Sequence, residues 1–342
     1  MNVTQPLLDK VAAGAALSRR EAEAVLEELL SGRMETPEIV RLLEAFNLRP
    51  VTVDELTGFA STIRRHALPV FAPGDSRPAP LVDTCGTGGD ASGTFNISTA
   101  AAIVASAAGA RVAKHGNRFA SSQSGSADVL EALGVRIDHP VAHAGRAIRE
   151  VGIGFLFAPA AHAAARHAVP ARRQIGKRTI FNLLGPLTNP AAAEAQVLGV
   201  FTPDVVDLVA ATLAELGVHH AYVIHGAGGL DEISLCGETR IAEVRNGTVR
   251  NFTVTPEDFG VSRAPLSALL GGTPVDNAAL ILRILQGEPG APHDIVVINA
   301  AAALVVTGVA PNLRAATLVA SEAIASGAAL AKLERLIAFC RQ

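Results

Sequence analysis

The first seventy residues carry apolar positions at helical spacing, in segments that begin with capping signals. Residues 18–21 read Ser-Arg-Arg-Glu, a capping box, and predict a helix over residues 21–30 that Gly32 would end. Thr36-Pro37 opens a second helix because proline is favoured in a first turn, and residues 52–55 open a third with another capping box. The pattern therefore predicts three amphipathic helices with short connectors.

From about Ala79 the pattern changes to short apolar segments that alternate with helical ones. Such alternation is typical of a mainly parallel sheet covered by helices. Asn246-Gly247, at the centre of residues 240–253, predicts a β-hairpin closed by a type I′ turn. The strand candidates are residues 81–84, 111–113, 154–157, 197–201 and 221–224.

Together these patterns predict an α/β protein with a small N-terminal helical domain, residues 1–72, and a larger domain, residues 73–342. The larger domain would hold the mainly parallel central sheet, flanked by helices. A chain of 342 residues exceeds one average domain, so one large and one small domain agree with its length.

Composition narrows the class of protein. Hydrophobic residues make up 49% of the chain and aromatic residues only 4%, with no Trp, so the core must consist of Ala, Val, Leu and Ile. The net charge of −3 offers no basic field for nucleic acid, and we expect no nucleic-acid partner. Residues 295–310 form the most apolar stretch, which is shorter than the ~20 residues of a membrane span. We expect a core helix there and no membrane partner.

The three cysteines, Cys85, Cys236 and Cys340, have neither metal-ligand spacing nor an even number for pairing. This usage fits a reducing compartment, and we expect a cytoplasmic protein. The N-terminal segment has no apolar run of the kind found in signal peptides.

A glycine-rich string follows the first strand candidate. Residues 83–90 read Asp-Thr-Cys-Gly-Thr-Gly-Gly-Asp, and a buried helix is predicted to start near Phe95. Glycines let backbone N–H groups approach an anion, and the following helix presents its positive dipole end to the same place. The string fits neither the P-loop nor the dinucleotide fingerprint. It predicts a phosphate site of another kind.

A second loop rich in donors follows about thirty residues later. Residues 114–118 read Lys-His-Gly-Asn-Arg, and several serines precede a helix for which Ser126 is the expected N-cap and Gly134 the expected stop. Two anion-binding loops on one chain indicate one large phosphorylated ligand.

Two further segments add cations and carboxylates. Residues 172–190 begin Arg-Arg-Gln-Ile-Gly-Lys-Arg-Thr-Ile-Phe-Asn and continue Leu-Leu-Gly-Pro-Leu, while Asp231-Glu232 follows a glycine-rich strand end. Paired carboxylates beside phosphate loops suit Mg²⁺, which commonly bridges protein carboxylates and substrate phosphates.

In combination and in this order, the four segments resemble the anthranilate phosphoribosyltransferase family, from about Leu7 to the C-terminal helices. The resemblance implies that a cleft between a helical and an α/β domain forms the active site, that residues of about 163–190 add hinge and helical parts to the helical domain, and that the protein is a homodimer through that domain. One departure is Ala163, where the family usually has proline after the histidine.

The resemblance also implies roles for individual residues. No residue is expected to act as acid, base or nucleophile; orientation and charge stabilisation would supply the catalysis. Two Mg²⁺ ions per subunit are expected. The donor phosphoribosyl pyrophosphate would be held by Gly86, Thr87, Gly89, Asp90, Asn96, Ser98, Thr99, Lys114 and Ser126. Anthranilate would be held by Gly86, Asn117, His162 and Arg172, and the metal by Ser98, Asp231 and Glu232.

Other polar residues have simpler interpretations. Arg173, Lys177 and Arg178 are expected to form a solvated or structural charged patch, and Asp90 and Asp128 are also typical of helix caps or turns.

The implied activity is transfer of the 5-phosphoribosyl group to the anthranilate amine in tryptophan biosynthesis. Three alternatives stay open at this point: a pyrimidine nucleoside phosphorylase, a phosphoribosyltransferase for another aromatic acid, and a non-catalytic relative that binds nucleic acid.

Overall fold

The computed structural model describes residues 4–72, 74–90, 92–118 and 124–342. Four helices form its N-terminal part: α1 (Thr4–Ala12), α2 (Arg19–Leu30), α3 (Thr36–Asn47) and α4 (Val53–His66). The capping boxes predicted at Ser18 and Thr52 are both present. Helix α1 was not predicted; its first turn holds no acidic residue.

A buried carboxylate ties the helical part together. Glu55 in α4 is fully buried and accepts hydrogen bonds from the backbone N–H groups of Leu17, at 2.8 Å, and Thr52, at 2.9 Å, and it pairs with Arg49. Burial acts to raise the pKa of Glu55, but Arg49 and the two backbone donors outweigh it and lower the pKa. One side chain thereby connects the chain before α2 to the start of α4.

Seven strands form one sheet in the order β3-β2-β1-β4-β5-β6-β7. The first five in sequence pair in parallel, and β6 and β7 add an antiparallel hairpin at one edge. The mainly parallel sheet predicted from the sequence is therefore confirmed. The strands are β1 (Leu81–Gly86), β2 (Arg111–Gly116), β3 (Ile153–Phe157), β4 (Ala195–Gly199), β5 (His220–Gly226), β6 (Thr239–Arg245) and β7 (Thr248–Val254).

Several predicted boundaries were wrong by one to three residues. β4 starts and ends two residues earlier than residues 197–201. β1, β2 and β5 run further than predicted because each continues through polar residues to a glycine. The hairpin prediction is confirmed: Asn246 and Gly247 both have positive φ, 51° and 79°, as a type I′ turn requires.

Twelve further helices in the described residues cover the sheet, with 3₁₀ turns at Ala163–Ala168, Pro203–Val205 and Leu266–Leu269. They are α5 (Ile97–Ala107), α6 (Ser126–Ala132), α7 (Val141–Glu150), α8 (Ala158–Ala161), α9 (Val169–Ile175), α10 (Ile180–Leu187), α11 (Val206–Glu215), α12 (Pro256–Phe259), α13 (Pro274–Leu285), α14 (Ala291–Val306), α15 (Leu313–Ala325) and α16 (Ala328–Cys340). The stretch over residues 295–310 lies mostly in α14, which is buried throughout its last three turns as expected of a core helix. None of the described helices is long and apolar enough to cross a membrane.

The two faces of the sheet bury different helices. In β4, Val197 packs with α5 and α14, while the next residue, Leu198, packs in the core that contains α2, α4 and α11. This follows from the two-residue period of a strand. Ala171 and Ile180, from α9 and α10, belong to the same core as the N-terminal helices. The helical part therefore rests on one face of the sheet, and residues from the 163–190 region pack with it.

Four strands end in glycine at the same edge of the sheet, and each end is too crowded for a Cβ. A Cβ at Gly199 would lie 1.5 Å from the carbonyl oxygen of Asp231, and one at Gly86 would lie 2.2 Å from Asp231 Oδ2. A Cβ at Gly116 would lie 2.2 Å from Ser126 Oγ, and one at Gly226 would lie 2.4 Å from the carbonyl oxygen of Glu232. Glycine at these strand ends is what lets the loops beyond them approach one another.

Gly199→Ala should destabilise the protein by about 3 kcal/mol or more, because the methyl group meets backbone that cannot rotate away. Gly185→Ala is the matched control: position 185 lies in α10 with open space at its Cβ, so the same change should leave stability within about 1 kcal/mol of wild type. Thermal and urea unfolding of both variants measure the difference, and equal stability would contradict the packing described at Gly199.

Candidate active site

Three carboxylates converge at the glycine-ended edge of the sheet. Asp90, Asp231 and Glu232 each place a carboxylate oxygen within 4.8 Å of the other two. Asp90 follows β1, and Asp231-Glu232 follows β5 after a turn through Gly228 and Gly229, whose φ values are +83° and +80°. Parallel strands bring residues far apart in sequence to the same place, as is usual for ligand sites in α/β sheets.

Burial makes this carboxylate cluster unfavourable when it is fully ionised. Burial, with the nearby Asp90 charge, raises the pKa of Asp231, and burial together with Asp231 and Asp90 raises the pKa of Glu232 well above its ordinary value. Asp90 Oδ2 and Glu232 Oε2 are buried without a hydrogen-bond partner in the described part of the chain. Several carboxylate oxygens that lie close together without hydrogen-bond partners are suitable ligands for a hard divalent cation such as Mg²⁺.

The glycine loop is fixed to the strand ends at both sides. Thr87 donates its backbone N–H to the Gly199 carbonyl at 2.9 Å, and Thr87 Oγ1 accepts from the Phe201 N–H at 3.1 Å. The Gly88 N–H donates to Asp231 Oδ2 at 3.0 Å. Positive φ at Gly88 and Gly89, 62° and 74°, turns the loop back toward the carboxylate cluster. The loop thus carries backbone donors directly to the acidic residues.

The start of α5 forms the neighbouring wall. Asn96 precedes the helix, donating its side-chain amide to the Ser124 carbonyl at 2.9 Å and accepting from Asn277 at 3.1 Å. Thr99 Oγ1 is buried without a partner among the described residues, and Ser98 Oγ lies 3.4 Å from the amine of Lys114. Ser98 also borders the small void under Asp231 and Glu232. Of the predicted trio, Ser98 therefore lies beside the carboxylate cluster, while Asn96 and Thr99 belong to the same end of α5.

Lys114 lies inside the protein. Its residue is 3% exposed, and Nζ donates to the Thr84 carbonyl at 2.5 Å. Burial lowers the pKa of Lys114, while Asp83, Glu232 and Asp231 act to raise it; burial also raises the pKa of Asp83 to about 6. The ammonium group therefore supplies positive charge from beneath the strand ends to both Asp83 and the carboxylate cluster.

The second loop begins at the end of β2. Asn117 accepts, through its carbonyl, from the Ala127 N–H at 3.2 Å and the Ser126 hydroxyl at 3.3 Å. The prediction that Ser126 caps α6 was wrong: Gly125 is the N-cap residue, and the Asp128 side chain accepts its N–H at 2.9 Å. This leaves Ser126 as the first helical residue, beside Asn117. Ser121 and its immediate neighbours lie outside the described residues.

The remaining predicted residues, His162 and Arg172, lie on the side of the helical part. His162 is buried and packs edge-on against His115, with ring centroids 5.1 Å apart; burial lowers the pKa of His162 to about 4 and that of His115 to about 3. Both rings are therefore neutral at neutral pH. Arg172 keeps an accessible guanidinium 5.3 Å above the Phe181 ring, and partial enclosure lowers its pKa. In the described part of the chain it makes no hydrogen bond to either loop.

The structure adds a neighbour to two residues that the sequence had singled out. Asp90, predicted as a donor contact, also places its carboxylate with those of Asp231 and Glu232. Arg178, expected in a solvated or structural charged patch, is exposed, and its side chain lies beside Gly89. Neither contact could be predicted from a local pattern, because each depends on the packing of segments distant in sequence.

A separate cleft of about 1440 Å³ lies near the opposite ends of the strands, where His220, Tyr222 and Arg245 are among its lining residues. None of the predicted site residues lines it. We therefore assign the chemistry to the glycine-ended edge and not to the larger opening.

Comparison with known proteins identifies the family to which the chain belongs. Residues 78–330 match the family model described as the glycosyl transferase family, a/b domain, and residues 5–67 match the helical bundle domain of the same family. The chain thus belongs to a glycosyl transferase family whose members combine a helical bundle domain with an a/b domain.

Full-length relatives narrow the class. The chain is 52% identical to the anthranilate phosphoribosyltransferase of Pelotomaculum thermopropionicum over 97% of this chain and 95% of that protein. The crystal structure of anthranilate phosphoribosyltransferase from Thermus thermophilus superposes with a TM-score of 0.92 at 45% identity, covering 98% of this chain and 99% of the other. The chain belongs to the anthranilate phosphoribosyltransferase family.

A solved relative contains the expected ligands. Anthranilate phosphoribosyltransferase from Saccharomyces cerevisiae, in complex with PRPP and Mg, has a TM-score of 0.89 at 27% identity and covers 99% of this chain and 98% of that one. The family and fold inferred from the four sequence segments are confirmed.

Asp231→Asn combined with Glu232→Gln should weaken Mg²⁺ binding more than about tenfold, because amides of the same size lack the charge that a hard cation requires. Isothermal titration with Mg²⁺ alone measures the loss. Undiminished affinity would remove the pair from the metal site. Glu131→Gln, a surface carboxylate paired with Arg118, is the control and should bind as wild type.

Without Mg²⁺, wild-type stability should fall as pH rises. The folded-state pKa values of Asp231 and Glu232 are raised, so between the ordinary carboxyl range near 4 and those raised values the folded state holds more protons than the unfolded state. The stabilisation by these protons is complete below that range and lost above it. Melting temperatures in chelator across this pH range should decline in wild type relative to the Asp231→Asn, Glu232→Gln variant. Parallel curves would contradict the buried cluster.

Proposed function

We propose that this chain transfers the 5-phosphoribosyl group from phosphoribosyl pyrophosphate to the amine of anthranilate. The products are N-(5-phosphoribosyl)anthranilate and pyrophosphate, in the biosynthesis of L-tryptophan. One observation supports the proposal most directly. The carboxylate cluster of Asp90, Asp231 and Glu232 lies against the Gly-Thr-Gly-Gly-Asp loop, and the Gly88 N–H of that loop donates a hydrogen bond to Asp231. Relatives with the same activity in their names match nearly the whole chain.

The metal part of the proposal is two Mg²⁺ ions per subunit. Asp231, Glu232 and Ser98 would hold them, and Asp90 would complete the carboxylate set. Bound Mg²⁺ supplies positive charge that neutralises the pyrophosphate of the donor. The buried, unpartnered oxygens of Asp90 and Glu232 support this assignment, and calorimetric stoichiometry would count the ions.

The residues of the chain that hold the donor are backbone and short polar groups. The donor would lie between the glycine loop of residues 86–89 and the amino end of α5, whose helix dipole offers partial positive charge to an anion. The Thr87 and Gly88 N–H groups already donate to Gly199 and Asp231 and so hold the loop in place. Gly86, Thr87, Gly89, Asn96, Ser98, Thr99 and Ser126 are proposed as donor contacts. Lys114 contributes from beneath, since its amine is within hydrogen-bond distance of Ser98 Oγ. These groups are fixed before the reaction, so they stabilise charge on the departing pyrophosphate without reorganising.

On the acceptor side, Arg172 is proposed to pair with the anthranilate carboxylate, and Gly86, Asn117 and His162 to contact the ring or amine. Guanidinium is suited to carboxylates because its planar donors match two oxygens. His162 would act as a neutral group, since burial lowers its pKa to about 4. An aromatic amine loses its proton easily once it has attacked C1 of the ribose, so positioning is the main demand on the protein.

The assembly and location of the protein are also proposals. We infer a homodimer through the helical domain, supported by Leu48 at the end of α3, which is 85% exposed. The domain division, residues 1–72 with parts of 163–190 and residues 73–342, is supported by the matched ranges 5–67 and 78–330. Three free cysteines support a cytoplasmic location, and no nucleic acid partner is proposed.

A direct assay tests the function. Anthranilate fluorescence should decline when the protein, phosphoribosyl pyrophosphate and Mg²⁺ are combined, and it should stay constant when any one of them is omitted. Phosphorolysis of pyrimidine nucleosides, measured in parallel, should be absent. Turnover of nucleosides, or of another aromatic acid in preference to anthranilate, would overturn the proposal.

Arg172→Ala should raise the KM for anthranilate by about ten- to a hundredfold and leave the KM for the donor near wild type, because it removes one charge-assisted pair. Arg173→Gln, an exposed neighbour on the same helix, should have little effect on either constant. If the donor KM rose and the anthranilate KM did not, the acceptor assignment of Arg172 would be wrong.

A further inference from the structure

Arg178 lies in the connector between α9 and α10, and two contacts hold it there. Its guanidinium carbon lies 4.5 Å from the centroid of the Phe201 ring, within the range of a cation–π contact. Its backbone carbonyl accepts a hydrogen bond from the side-chain amide of Asn47, in α3, at 3.1 Å. The side chain of Arg178 is therefore held against the segment that follows β4, and its backbone is held by the helical part.

These contacts bring Arg178 to the glycine loop. A Cβ at position 89 would lie 3.8 Å from Cδ and 4.0 Å from Nε of Arg178. The Phe201 N–H donates to Thr87 Oγ1, so the ring that supports the guanidinium is itself attached to this loop. Because residue 89 is glycine, no side chain separates Arg178 from the loop backbone.

The guanidinium has no anionic partner within the described residues. Arg118, on the other loop, pairs with Asp128 and Glu131, and Arg49 pairs with Glu55, whereas Arg178 forms no ion pair or side-chain hydrogen bond there. An arginine that is stacked on a ring and free at its donors can bind a planar or tetrahedral oxyanion with several hydrogen bonds.

We propose that Arg178 contacts the pyrophosphate group of the donor. This inference rests on the proposed function. The hydrogen bond from the Gly88 N–H to Asp231 places the carboxylate cluster against the glycine loop. Arg178 lies beside the next residue of that loop, Gly89. A pyrophosphate held through Mg²⁺ by the carboxylate cluster would therefore lie near Arg178. The chemistry recognised is a phosphate oxyanion, and the geometry favours the leaving group over the ribose 5-phosphate.

The contact has a role in the reaction. As the bond between ribose C1 and the pyrophosphate oxygen breaks, its electron pair goes to that oxygen, while the anthranilate nitrogen forms the new bond to C1 and releases its proton to water. Negative charge on the leaving group therefore increases, and a guanidinium fixed beside it stabilises the transition state more than the ground state. Arg178 would act as a catalytic residue in the sense that it touches the reacting group.

Binding without turnover is the primary test. Wild type, Arg178→Gln and Arg178→Lys are titrated by calorimetry with pyrophosphate in Mg²⁺ and, separately, with ribose 5-phosphate. Arg178→Gln should weaken pyrophosphate binding by about ten- to a hundredfold and leave ribose 5-phosphate unchanged. Arg178→Lys should recover part of the loss, since it keeps the charge without the planar donors. Arg173→Gln, another exposed arginine in this segment, is the matched control and should bind as wild type.

Steady-state kinetics separate this inference from the proposed function. Arg178→Gln should lower kcat and raise the KM for the donor while the KM for anthranilate changes little. If wild type binds pyrophosphate but does not consume anthranilate, the proposed function fails while the binding result still decides the role of Arg178. Unchanged pyrophosphate affinity in folded Arg178→Gln, shown by its melting temperature, overturns the inference. So does a loss confined to ribose 5-phosphate.

Discussion

The site depends on one steric constraint: the turn that carries Asp231 and Glu232 passes directly over the ends of the central strands. A single methyl group at Gly86, Gly199 or Gly226 would occupy space taken by that turn. Since the strand spacing in a sheet is fixed by hydrogen bonds, the turn can reach the first glycine loop only where the strands end without side chains. The loop after β1 and the turn after β5 thereby become one surface, although about 140 residues separate them.

The same closeness produces electrostatic strain among the carboxylates. Three carboxylates share a buried space, and the pKa values of Asp231 and Glu232 are raised as a result. The positive charge of Lys114 offsets part of the repulsion between the carboxylates, but burial lowers the pKa of Lys114 itself. A site of this kind favours cation binding because the ionised, empty state is costly. The cost falls on local stability at the three carboxylates.

Local signals in the sequence were sufficient for the helices and the hairpin. Ser18, Thr52 and Asn246-Gly247 act within a few residues, so their capping boxes and turn could be predicted without knowledge of the fold. The cap of α6 was misassigned because a glycine and an aspartate three residues later take the role expected of Ser126. The site residues came from a family resemblance; the convergence of Asp90 with Asp231, and of Arg178 with Gly89, depends on strand order, which no local pattern encodes.

The core is filled mainly by alanine and branched aliphatic residues with a few phenylalanines, and the chain of 342 residues contains no tryptophan. For an enzyme in the proposed pathway this has a consequence for supply. A ribosome can translate these 342 residues when charged tryptophan tRNA is exhausted, because none of them is tryptophan. The small side chains that pack around α5 and α14 therefore let this chain be translated without the amino acid that the pathway produces.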